Sequence, residues 1–141
     1  MNGFHVYAMP VLVAAVIQWV IAAIWYGFGF KKRWTALVGH TGEAKPGRAA
    51  FEMIAAFVLS IVLSAVLANV IVGLGNLIFA GAPSFRVGAG IGILCWFGFI
   101  APPMLTQSIF ERRPVNLFAI NAGYWVVSLA VSGGVLAVMA R

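Results

Sequence analysis

The chain has no aspartate, and its only acids are Glu43, Glu52 and Glu111. Without an aspartate no Ser-His-Asp triad can form. It has one cysteine, Cys95, which lies inside an apolar run, so no intrachain disulfide is possible. The two histidines, His5 and His40, fall on opposite sides of the membrane in the topology derived below and cannot share a metal. Only Glu52 and Tyr124 lie where a membrane enzyme acting on lipid or quinone would need a positioned acid or base, so no catalytic residue is assigned. No cofactor or metal is expected.

Charge is the other scarcity. Charged residues make up 9% of the chain, against about 25% in soluble proteins. Hydrophobic residues make up 63%, and the mean hydropathy is +1.04. A chain of 141 residues cannot cover that much apolar surface in water, which leaves a single integral membrane domain. The net charge of +6 would suggest nucleic acid in a soluble protein. Here seven of the nine cations sit in two short loops between apolar runs, a pattern of topology and anionic lipid that points away from nucleic acid.

Four apolar runs, about 7–30, 49–79, 87–110 and 115–140, can each span a hydrocarbon core, which takes roughly 20 helical residues. They are continuous, which excludes the alternating pattern of a barrel strand. The expected fold is an all-α membrane four-helix bundle. The start MNGFHVYAMP lacks a basic segment and leads into a long run, so the first run reads as a retained helix rather than a cleaved signal. Lys31, Lys32, Arg33, Lys45 and Arg48 lie between runs one and two, and Arg112 and Arg113 between runs three and four. Only Arg86 and Arg141 lie on the other side, which predicts cytoplasmic basic loops and both termini outside. In the first loop Trp34, Leu37 and Val38 are spaced for one face of a short interfacial helix, ended by Gly39.

The second run carries Ala56, Ser60, Ser64 and Ala68 at every fourth position, a small-residue face that lets another helix approach closely. At about 31 residues and 1.5 Å each it exceeds the core thickness, and Gly73-Leu74-Gly75-Asn76 is where it is expected to loosen. The segment Asn76 to Pro83 is then expected on the outer surface. In the third run Gly88 and Gly92 read as close-packing positions rather than a phosphate loop, because no strand precedes them. Pro102-Pro103 predicts a kink there. Trp25-Tyr26-Gly27-Phe28 and Trp96-Phe97-Gly98-Phe99 look alike. They stand at different distances from the next cation, so the likeness reads as accidental rather than as a repeat.

Polar residues sort by depth. Gln18, Ser60, Ser64 and Ser128 fall near the midplane, and Gln107, Asn121 and Tyr124 toward the basic loops. They form a candidate polar pocket or path, or else interhelical glue worth roughly 0.6–2 kcal/mol per bond. Glu52 is the one acid inside an apolar run and so a candidate functional ionisable group. It lies near a helix start with Arg48 four residues before it, which favours an interfacial ion pair.

Two stretches carry a family resemblance. Ile24-Trp25-Tyr26-Gly27-Phe28-Gly29-Phe30-Lys31-Lys32-Arg33-Trp34 is one; Arg113-Pro114 with Leu117, Ile120-Asn121 and Gly123-Tyr124 is the other. Both resemble the signature of a small bacterial membrane family, domain-of-unknown-function family 1761. The resemblance implies a four-span protein of the bacterial inner membrane and no activity. Pro102-Pro103 and the GxGxG of the third run are not features of that signature. Packing faces without chemistry point to a non-enzymatic protein that self-associates into a homo-oligomer or joins a membrane-protein partner. The alternative is a small channel or transporter for an ion or apolar solute.

Overall fold

A computed structural model describes residues 7–39, 46–78 and 83–140. Among these it is all-α. Helix α1 spans Ala8–Ile24 and runs into a π-helical turn at Trp25–Gly29; the short α2 follows at Lys31–Val38. Helix α3 spans Pro46–Ile78. Helix α4, Phe85–Cys95, passes through a second π-helical turn at Trp96–Ile100 into α5, Ala101–Phe110. Helix α6 spans Val115–Met139. Four stretches are long and apolar enough to cross a membrane: Ala8–Gly29, Gly47–Ile78, Phe85–Phe110 and Val115–Met139.

Helix α6 is the central element. Half of its most apolar stretch is buried within the chain, against about a fifth for each other span, and it packs against α1, α3, α4 and α5. Its closest neighbour is α4. A Cβ on Gly88 would run into the carbonyl of Gly133, and one on Gly92 into the carbonyl of Leu129. The two backbones touch because neither glycine has a side chain. In lipid, where tails are as apolar as leucine, such van der Waals contact is what holds helices together. On the other flank α3 packs on α1 through Ser64 and Ala68, both fully buried. One apolar core (Val11, Ala14, Leu67, Ile71, Ile91, Leu136) ties these pairs together at the end of the bundle nearest the termini.

The other end is splayed. Helix α3 packs on α1 and α6, but it does not lie against the second π turn or α5. That π turn explains the divergence. Pro102 cannot donate to the carbonyl four residues back, and its ring would clash with it. Widening the preceding turn moves that carbonyl aside, and the Ala101 N–H bonds to the Trp96 carbonyl, five residues back. The irregularity expected at 102–103 therefore sits one turn earlier, and the prolines occupy the first turn of α5, where missing N–H groups cost least.

The Trp25 tetrad adopts the same π turn without a proline, with the Phe30 N–H bonded to the Trp25 carbonyl at 2.8 Å. The likeness of the two tetrads, read as accidental, is thus a likeness of local structure. Each tetrad places a wide turn at the end of a helix whose partner is a longer one. The short α2 forms where expected. Its cations are exposed, Trp34, Leu37 and Val38 are half-buried, and Gly39 caps it at φ 75°, a left-handed conformation that glycine adopts without strain.

The loosening expected at residues 73–76 is absent: α3 is continuous to Ile78. Two glycines weaken a helix by only about 1 kcal/mol each, whereas breaking one at membrane depth strands backbone groups at several kcal/mol apiece. Gly75 serves packing instead, since a Cβ there would come within 2.9 Å of the Pro83 ring. Of the segment expected on the outer surface, Asn76, Leu77 and Ile78 form the exposed end of α3 and Pro83 is buried; residues 79–82 lie outside the described residues. The connection from α5 to α6 closes as a Schellman turn. The Arg113 N–H bonds to the Ser108 carbonyl at 3.0 Å and the Arg112 N–H to that of Ile109 at 3.2 Å, with Arg112 left-handed at φ 52°.

The glycine contact makes a clear prediction. Gly92→Leu should lower stability by at least about 3 kcal/mol through overpacking against the α6 backbone. Gly90→Ala, on the open side of the same helix with nothing within 4 Å, should leave stability unchanged or raise it by about 0.5–1 kcal/mol. Thermal unfolding in detergent micelles distinguishes the two variants.

Candidate functional site

The polar residues divide into three groups. The first is sealed. Gln18 and Ser64 are completely buried, and the Gln18 Nε2 donates to the Ser64 Oγ at 3.0 Å, joining α1 to α3. The backbone carbonyl of Gln18 accepts from the Tyr124 hydroxyl at 3.2 Å, which joins α1 to α6. Ser128 is buried on α6, one turn beyond Tyr124. The Gln18 Oε1 and the Ser132 hydroxyl are buried with no hydrogen-bond partner.

The second group lies one turn nearer the basic loops and is built by the first π turn. Widening that turn swings Trp25 and Tyr26 toward α6. The Trp25 Nε1 donates to the Ile120 carbonyl at 3.0 Å, and the Tyr26 hydroxyl donates to the Asn121 Oδ1 at 2.7 Å. Gly123 makes room, since a Cβ there would stand 3.0 Å from the Trp25 ring. The Tyr26 ring packs against those of Tyr124 and Trp34, with centroids 5.4 and 5.5 Å apart. Trp25 thereby fastens the end of the first span to α6. The family-like residues Trp25, Tyr26, Ile120, Asn121, Gly123 and Tyr124 form this one cluster.

The third group lies at the surface. Gln107 does not reach Gln18 or Ser64; its Nε2 donates to the Glu111 Oε1 at 2.8 Å, one turn along α5. The Arg113 Nε pairs with the other Glu111 oxygen. These two partners, Gln107 first, hold the Glu111 carboxyl below the usual carboxylate range. Glu52 is exposed and paired with Arg48 at 2.8 Å. The sequence-level pocket is thus not one site. The proline-distorted third span carries Gln107 toward the membrane surface, away from the sealed layer.

What the arrangement encloses is a groove of about 980 Å³ between α3 and the second π turn with α5, floored by α6. Leu59, Leu63, Val66, Phe99 and Ile100 form its walls, Trp125 and Leu129 its floor, and its lining is overwhelmingly apolar. Its side is open. The small-residue face of α3 divides between two tasks: Ser64 and Ala68 pack inside the chain, while Ala56 and Ser60 line this groove. The Ser60 hydroxyl returns to its own helix, donating to the Ala56 carbonyl at 2.9 Å, and so presents little polarity. Polar groups gather at one end, where Tyr26, Asn121 and Tyr124 reach the lining. Met104 and Asn121 also line a second cavity of about 120 Å³ with Gln107, Ser108, Glu111 and Arg113. Nothing in the sequence announced the groove. Its traces are Ala22 on α1 facing Ala56 and Ser60, and the proline pair that moves the opposite wall away.

The profile of a family described as protein of unknown function (DUF1761) matches residues 9–137, nearly the whole chain. The chain belongs to the DUF1761 family. No curated protein and no solved structure matches it. The family match therefore covers both aromatic stretches and the α3 stripe, and it assigns no chemistry to them.

Two outcomes follow. Gln18→Leu removes the α1–α3 bond and should cost about 1–2 kcal/mol of stability in detergent, with helix content unchanged. Gln107→Leu should raise the Glu111 titration toward the ordinary range. Glu111 is depressed, so its pairing stabilises the α5–α6 turn above the ordinary carboxylate pKa and is lost as pH falls through the lowered value. Carboxyl-carbon NMR of the two proteins measures that shift.

Proposed function

We propose that this is a non-enzymatic membrane protein that takes a hydrocarbon chain from the bilayer into the lateral groove between α3 and α5. The observation that carries the reading is the groove. Its volume of about 980 Å³ lies at the upper end of the roughly 300–1,000 Å³ of small-molecule sites and is far too small for a partner helix to bury its whole girth. In a bilayer an apolar cleft that opens sideways fills with hydrocarbon, because water gains no hydrogen bonds there. The distribution of cations supports the orientation. Lys31, Lys32, Arg33, Arg48, Arg112 and Arg113 favour the cytoplasmic side for the splayed end, with both termini outside, in a bacterial inner membrane.

A channel draws less support, since Gln18, Ser64 and Ser128 are spent on packing between helices and are shut off from the groove's open side. Self-association or docking on a membrane partner is the second reading. It is favoured by the exposed apolar residues of α3 outside the groove, among them Phe51, Ile54 and Val58.

Native mass spectrometry of protein ejected from nanodiscs tests the reading. The expected species is one chain carrying one hydrocarbon-containing adduct. Ser60→Trp, which fills the groove, should reduce that adduct at least about tenfold, equivalent to about 1.4 kcal/mol. An adduct-free dimer would overturn the proposal in favour of self-association.

A further inference from the structure

The groove alone cannot select a ligand. Lipid tails are as apolar as its walls, so moving a chain from the bilayer into it gains little from the hydrophobic effect. Selection must come from the polar end. There Met104 and Asn121 line both the groove and the small polar cavity formed with Gln107, Ser108, Glu111 and Arg113, so the two cavities adjoin.

Several donors in that small cavity are uncommitted. Both Glu111 oxygens are engaged, one by Gln107 and one by Arg113. Arg113 uses its Nε for this and keeps the two Nη groups of its guanidinium. Asn121 accepts from Tyr26 through its Oδ1 and keeps its Nδ2. The Ser108 hydroxyl can donate as well. On the acceptor side stand the Gln107 Oε1 and the second lone pairs of the Glu111 oxygens. Glu111 and Arg113 leave the lining formally neutral, and the Nη edge of the Arg113 guanidinium is the part of it that suits an anion.

We infer that the joined cavities form a two-part site for a single-chain anionic amphiphile, specifically a long-chain carboxylate. The carboxylate lies in the 120 Å³ cavity against the Arg113 Nη groups and the Asn121 Nδ2, and the chain lies along the groove. A planar carboxylate suits the fork geometry of arginine. A single carboxylate fits a cavity of about 120 Å³, and a second chain would have to stay outside. The chain length also fits. Residues 56–70 of α3 line the groove, about 21 Å at 1.5 Å per residue, which is longer than a leaflet of about 15 Å. The inference rests on the groove's taking hydrocarbon, and the experiment separates the two claims.

Binding of hexadecanoate and hexadecanol to the full chain in nanodiscs, at a pH where the acid is ionised, is the test. Wild type should bind hexadecanoate at least tenfold more tightly than hexadecanol. Arg113→Gln, with Arg112 intact, should bring the two within about threefold, chiefly by weakening hexadecanoate. Asn121→Asp provides a second variant that keeps the acceptor for Tyr26 and replaces the donor by a charge. It too should weaken hexadecanoate selectively. Equal binding of the two probes by wild type overturns the two-part site and leaves the groove standing, as does an undiminished preference in both variants. Tighter binding of a two-chain phosphatidate overturns the single-chain assignment. Failure of both probes to bind wild type overturns the groove reading itself.

Discussion

Everything else in the bundle depends on the contact of Gly88 and Gly92 with the α6 backbone. It is made by the absence of side chains: the carbonyls of Gly133 and Leu129 occupy the space where a Cβ would be. That contact fixes α4 against α6 at the end of the bundle nearest the termini, where the apolar core also lies. A helix held so tightly at one end and bent near its middle must diverge at the other. The second π turn, made wide by Pro102, supplies the bend. The groove is therefore a consequence of two local constraints, a close contact and a turn, and needs no residue dedicated to making a cavity.

The opposite wall is held by different means. Helix α3 is joined to α1 by Gln18 and Ser64, and α1 is joined to α6 by Tyr124, Trp25 and Tyr26. Each such bond contributes about 0.6–2 kcal/mol in a membrane, so several are needed where one glycine pair suffices on the other flank. The aromatic cluster around Tyr26 thus has a definite structural task, which is to hold α1 and α3 on α6 while α5 departs. It also brings Asn121 to the neck between the two cavities, so that the residues which fasten the bundle supply the polar end of the groove.

The four spans were legible in the sequence because bilayer thickness and backbone hydrogen bonding leave few alternatives. So were the short α2, the Arg48–Glu52 pair and the close packing of Gly88 and Gly92. What was not legible depended on partners distant in the chain. Gly73 and Gly75 looked like a weak point until Pro83 was seen against Gly75. The bond from the Trp25 ring nitrogen to the Ile120 carbonyl joins residues 95 apart in the chain. Gln107 and Gln18 read as parts of one polar path, but sorting by depth ignores direction, and Gln107 bonds to Glu111 along α5 instead. The stripe on α3 posed the sharpest question, whether it packs within the chain or serves something outside. It does both in sequence: Ser64 and Ala68 are packed within, and Ala56 and Ser60 face the groove.

The central claim is that this groove is a site for hydrocarbon and not a seat for another helix. A density map of the protein in a lipid nanodisc tests it most directly. The account predicts one chain per particle with an elongated, non-protein density lying between α3 and α5 and ending beside Asn121. A groove closed by direct contact of α3 with α5, or filled by a helix of a second chain, would contradict it.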